Sequence, residues 1–158
     1  MDEGTQKNAE KKAAVIIIVI VLLAGLLFYI NSKTNIKDAD VDFTRRVFAG
    51  FIKGRQSVQD MVDWERLKGM GVDVGQTYSG LPNGTERADY RRAFISTSAL
   101  AYRQRRVGLS SFINWRLYGK KGDSVIVACD CKGTDKTILF TFSKTEDGKR
   151  RLVGMKWE

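Results

Sequence analysis

ILFTFSKTEDGKRRLVGMKW, residues 138–157, decides the fold. Ile138, Phe140 and Phe142 alternate with less apolar neighbours, Thr145-Glu-Asp-Gly148 interrupts them, and Val153, Met155 and Trp157 resume the alternation. A period of two belongs to a half-buried strand, and so short a turn-rich separator joins antiparallel neighbours. The stretch predicts a closing hairpin. The same period reaches back to Gly108 in four runs: Ser111 to Tyr118, Ser124 to Lys132, Thr137 to Ser143 and Arg150 to Trp157. With Gly119-Lys-Lys-Gly-Asp123 and Gly133-Thr-Asp135 as the other separators, they predict a four-stranded antiparallel meander.

Upstream the period lengthens. Phe43, Val47, Phe48, Phe51 and Ile52 recur at helical spacing after the N-cap candidates Asp38 and Asp40 and before Gly54, predicting a helix over 40–53. Ser57-Val-Gln-Asp60 has the outline of a capping box, and Val58, Met61, Val62 and Leu67 predict a second helix over 58–68. Glycines at 71, 75, 80 and 84 and the single proline, Pro82, make Met70 to Gly84 an irregular loop, with room for a short strand between Val72 and Tyr78. A third helix, capped by Thr85, covers about 86–105, with Tyr90, Ala93, Phe94, Thr97, Leu100 and Ala101 on one stripe.

The expected fold class is thus α+β: a single N-terminal transmembrane helix, then three helices packed on a curled four-stranded antiparallel sheet. This order of elements, together with the closing 138–157 hairpin, resembles the cone-shaped, cystatin-like superfamily that includes nuclear transport factor two and ketosteroid isomerase. The resemblance covers most of residues 38–158 and is one of layout; single-span bacterial proteins with an exported domain, such as assembly factors of type IV secretion systems, share that layout. It implies that an acid or base, if present, would project into the cone, where Asp130, Tyr118 and Tyr90 are the available residues. Asp130 is better explained by a cross-strand pair with Arg116, and Tyr90 by a helix core with a polar tip.

The organisation of the rest follows from residues 13–30, AAVIIIVIVLLAGLLFYI, which hold no charge, amide or proline. At about 1.5 Å per residue they span about 27 Å, close to the hydrocarbon thickness of a bilayer, and Tyr29 falls at the interface. Ala13, Val15, Ile20, Leu23, Leu27, Tyr29 and Ile30 are the expected anchor residues. No small-residue cleavage site follows, and Lys11-Lys12 abut the run, so an uncleaved signal anchor is expected. The domains read as a tail over 1–12, a transmembrane helix over 13–30, a tether over 31–37 and a globular domain over 38–158. The expected setting is a bacterial inner membrane with the C-terminal domain outside the cytoplasm, because the nearest basic pair lies on the N-terminal flank.

The formal net charge of +9 resides entirely in residues 31–158, since residues 1–30 balance Lys7, Lys11 and Lys12 against Asp2, Glu3 and Glu10. A basic domain near a bilayer is drawn to anionic lipid, each cation contributing about 1 kcal/mol close to the surface. Nucleic acid is not an expected partner: the basic residues are scattered and not interleaved with aromatics on one element. Cys129 and Cys131, two apart on one strand face, read as small buried hydrophobes. They are too few to fill a zinc shell in a chain without histidine. No metal, cofactor or catalytic residue is expected.

Alternation puts Ile113, Trp115, Leu117, Val125, Val127, Cys129, Cys131, Ile138, Phe140, Phe142, Val153, Met155 and Trp157 against the helices. The opposite face, with Phe112, Asn114, Arg116, Tyr118 and Asp130 as candidate contacts, mixes aromatic, apolar and charged groups as a partner surface does. The expected function is a non-enzymatic, membrane-anchored interaction domain, a scaffold or assembly subunit of a membrane or envelope protein complex. Its expected partners are other membrane or envelope proteins, with self-association into a homo-oligomer also open to it. The alternative is binding of a small molecule, lipid or peptide between helices and sheet.

Overall fold

The computed structural model describes residues 39–158, in which helices precede and pack on a β-sheet. The expected tail, transmembrane helix and tether, with the cap candidate Asp38, lie outside the described residues; among those described, no helix is long and apolar enough to cross a membrane.

Helix α1 runs through residues 39–53 and buries Val47, Phe48 and Phe51. It ends at Gly54 in the left-handed conformation (φ 66°), with the Arg55 N–H bonded to the Gly50 carbonyl at 2.9 Å, the long-range bond of a Schellman stop. Asp40 is not a cap. It lies inside the helix, buried, and is ion-paired with Arg150 at the start of the last strand.

The predicted helix over 58–68 is replaced by a 3-10 segment, Gln56–Met61, followed by extended chain. Sheet pairing overrides helical spacing here: Val62 bridges Leu152 in parallel, the Asp63 N–H bonds the Leu152 carbonyl at 2.9 Å, and the Trp64 indole N–H bonds the Gln59 carbonyl at 2.9 Å. The chain continues as β1, Lys68–Gly69, parallel to the last strand, and turns through Met70 and Gly71 into β2, Val72–Asp73. Both turn residues have positive φ, 49° and 88°, as a two-residue type I′ hairpin requires. The stretch expected to be irregular therefore holds this hairpin and a short helix α2, Val74–Ser79, whose cap Asp73 accepts from the Gln76 N–H at 3.0 Å. Helix α3 spans Gly84–Gln104. Its cap is Asn83 in place of Thr85, exchanging bonds with the Glu86 N–H (2.9 Å) and carboxylate (3.2 Å).

Four long strands follow: β3 Phe112–Lys121, β4 Ser124–Cys131, β5 Thr137–Lys144 and β6 Arg150–Trp157. They pair as the predicted antiparallel meander. The complete sheet, however, has six strands in the order β2-β1-β6-β5-β4-β3 and is mixed, because β1 joins the β6 edge in parallel. Two-residue strands carry too little pattern to be read as period two.

The core lies between the helices and one sheet face, with Phe48 at its hub. Its ring meets Phe112 at 4.7 Å, Phe140 at 5.0 Å, Tyr102 at 5.7 Å and Trp115 at 6.0 Å between centroids. Edge-on aromatic contacts of this kind add about 0.5–1.5 kcal/mol each to the area they bury. A second aromatic group, Trp64, Tyr78, Tyr90 and Phe94, joins α2 and α3 to the chain after the 3-10 segment.

Candidate functional site

Strand β3 departs from strict alternation. Ile113 pairs with Asp130 and Arg116 with Ala128, so Asn114 and Trp115 together stand opposite Cys129, and Asn114 takes a left-handed φ of 54°. This is a β-bulge, which re-aims every side chain beyond it. Phe112 and Trp115 consequently both reach the core, while Ile113 is 40% exposed, the reverse of the alternation expected for Phe112 and Ile113. Phe112 is 7% exposed and packs on Phe48, not on the outer face. Asparagine, which tolerates the left-handed region better than other non-glycine residues, is the one sign of this in the sequence. A second irregularity leaves Tyr118 as an extra residue between Leu117 and Gly119.

The bulge gathers Asn114, Arg116 and Asp130 on the outer face. Asp130 accepts from Arg116 Nη1 at 2.9 Å, from Thr137 Oγ1 at 2.9 Å and from Asn114 Nδ2 at 3.1 Å, and the same Arg116 nitrogen donates to the Asn114 carbonyl at 3.0 Å. These bonds, the Arg116 one foremost, hold the Asp130 carboxyl below its usual range. The cross-strand pair expected of Asp130 and Arg116 is present. Tyr118 is not part of this cluster. Half exposed, it donates to Glu158 Oε1 at 2.7 Å, and that bond pushes its phenol pKa up. Thr137 and Glu158 are the members of this face that sequence alternation missed. Each lies at a strand end, where alternation has no following residue to confirm it.

Tyr90 packs among Tyr78 and Phe94 on α3, away from Asp130. Cys129 is buried and its thiol is pushed up to about 12, chiefly by burial; Cys131 is half-buried, so only one of the two is the core residue expected of both. Both thiols are free, and no cluster of three or more potential metal ligands occurs among the described residues. The anchor residues Ala13 to Ile30 lie outside them. Fold and site together define an α+β domain with helices on one side of a six-stranded mixed sheet and an ordered, arginine- and tyrosine-bearing surface on the other.

No family model matches the sequence, and no curated protein matches it. Among solved structures, the chain is similar to an NTF-2 like protein of unknown function from Silicibacter pomeroyi DSS-3, with 16% identity, a TM-score of 0.43, and coverage of 81% of this chain and 97% of that one.

Proposed function

We propose that this protein is a membrane-anchored, non-enzymatic interaction domain of the cone-shaped, cystatin-like layout, acting as a scaffold or assembly subunit of a membrane or envelope protein complex. The anchor is the uncharged run over 13–30, and the proposed setting is a bacterial inner membrane with the C-terminal domain outside the cytoplasm. The observation that carries the reading is the outer sheet face, where an Arg116–Asp130 pair pinned by Asn114 and Thr137 lies beside the half-exposed Ile113 and Tyr118. Arginine and tyrosine dominate the energetics of protein contacts, and a guanidinium held in place by its neighbours loses little freedom on binding. The reading is favoured over ligand binding in the cone because the aromatic hub around Phe48 occupies the space between helices and sheet.

The test is capture of the full-length chain from mild detergent, with partners identified by mass spectrometry. A partner at fixed stoichiometry that is lost at least about tenfold with Arg116→Ala or Tyr118→Ala is the expected result. Charge reversal at the exposed Arg92 and Arg103 should change only salt-dependent attraction to anionic lipid. Capture lost with the helix arginines and untouched by the sheet pair would place the working surface on the other side. Fusion of alkaline phosphatase or a fluorescent protein to the C-terminus tests the orientation.

A further inference from the structure

A second polar assembly lies away from the outer sheet face, where the 3-10 segment, α2, α3 and the start of β6 meet around a cleft of about 380 Å³. That volume is within the roughly 300–1,000 Å³ of small-ligand sites. Trp64 and Tyr78 lie beneath it, each only 6% exposed and their ring centroids 6.2 Å apart, and Trp64 is held by its indole bond to the Gln59 carbonyl.

Two guanidinium groups line the cleft, those of Arg91 and Arg151. Arg91 donates Nε to Gln59 Oε1 at 3.1 Å and Nη1 to the Tyr78 hydroxyl oxygen at 2.8 Å. Arginine has five N–H donors in a rigid fork, so these two bonds orient the group and leave the rest of the fork open. Arg151 Nε is buried without a hydrogen-bond partner among the described residues, and its guanidinium reaches Asp147 only at 3.4 Å. The Nε itself is sealed from the cleft, but the Arg151 side chain as a whole is 35% exposed, and a cation so weakly compensated favours an incoming anion.

The cleft also carries carboxylates. Asp63 is committed to Arg66 at 2.6 Å, but the exposed Asp60 and Glu65 join no ion pair among the described residues. A simple anion would be repelled by these two carboxylates at the rim. A group bearing both charges answers both sets of side chains: carboxylate toward the arginines, ammonium toward Asp60 and Glu65. We infer that this cleft binds a small zwitterion of the free amino-acid or dipeptide class.

The test uses the full-length chain in mild detergent, labelled with nitrogen-15, and follows the Trp64 indole N–H, assigned with Trp64→Phe, as glycyl-L-leucine is added. A saturable shift of that signal is expected, with the Trp115 and Trp157 indoles unmoved. Glycyl-L-leucinamide, which lacks the carboxylate, and N-acetylglycyl-L-leucine, which lacks the ammonium, should each bind at least about tenfold more weakly, as should inorganic phosphate. The double variant Asp60→Asn, Glu65→Gln alters only exposed rim groups, so it should fold normally and narrow the gap between glycyl-L-leucine and its acetylated form. No shift up to about 10 mM, equal binding of all four probes, or a rim variant that binds glycyl-L-leucine as the native chain does would each overturn the inference. Those outcomes leave the outer sheet face and its proposed partner untouched.

Discussion

Replacing Arg150 by methionine should destabilise the domain far more than loss of a surface charge. The Asp40 side chain is only 2% exposed, whereas that of Arg150 is 31% exposed, so the pair is asymmetric. Arg150 keeps part of its hydration, and Asp40 gives up nearly all of its own. Methionine keeps most of the apolar stem and removes the charge, stranding a buried carboxylate, which costs about 3–5 kcal/mol when a buried pair is broken. The stranded group has one escape, uptake of a proton. From an ordinary carboxyl pKa of about 3.9, at about 1.36 kcal/mol per unit, that escape caps the penalty at about 4 kcal/mol at pH 7 and about 1.5 kcal/mol at pH 5. The sign follows from linkage: the unfolded chain ionises the carboxyl freely, so the variant loses most at neutral pH and least in acid. Urea denaturation of the full-length chain in mild detergent, read by tryptophan fluorescence at both pH values, measures it. The double variant Asp40→Leu, Arg150→Met should recover most of the loss, because no charge is left to bury. A loss below about 1 kcal/mol at pH 7, the range of exposed ion pairs, or one that does not shrink at pH 5, would refute the asymmetry.

Native thiol labelling should modify Cys131 slowly and Cys129 only after denaturant, since burial keeps the Cys129 thiol protonated; equal rates would show that Cys129 is reachable. With that pKa raised from 9.0 to about 12, the contribution of Cys129 to stability is complete below 9.0 and is lost as pH rises toward 12, so Cys129→Ala should flatten the alkaline limb of a stability profile. Gly75→Ala should cost about 3 kcal/mol, because an added Cβ runs into the Glu65 carbonyl oxygen while the Gly75 N–H is held by Leu67 at 2.9 Å, and neither backbone segment can retreat. The Asp130 carboxyl should titrate below the ordinary range when followed by carbon-13 shifts, so that its network persists above that range and is lost as pH falls through the lowered value. Arg116→Ala should return it toward normal, and an unmoved titration would deny Arg116 the leading role.

Alternation over 111–157 determined the meander by itself, because four strands in succession are joined by turns too short to allow anything but antiparallel neighbours. Helical spacing over 40–53 likewise sufficed for α1, and the stop at Gly54 was legible because it depends on local backbone conformation alone. Where the outcome depended on distant partners, the pattern misled. Val58, Met61, Val62 and Leu67 are all suited to a helix face, yet Val62 and Lys68 find backbone partners on β6, and pairing with an existing strand edge won over helical propensity. Asp40 has the composition of a cap, and only the approach of Arg150 from the far end of the chain made it a buried charge. The candidate surface divides the same way. Cross-strand pairing of Arg116 with Asp130 follows from two neighbouring strands, but one extra residue at Asn114 sent Phe112 inward and Ile113 outward, since with a period of two a single insertion exchanges the faces. The Arg91, Gln59, Trp64 and Tyr78 cleft draws on the 3-10 segment, the chain after it, α2 and α3, and such a convergence is set by packing alone.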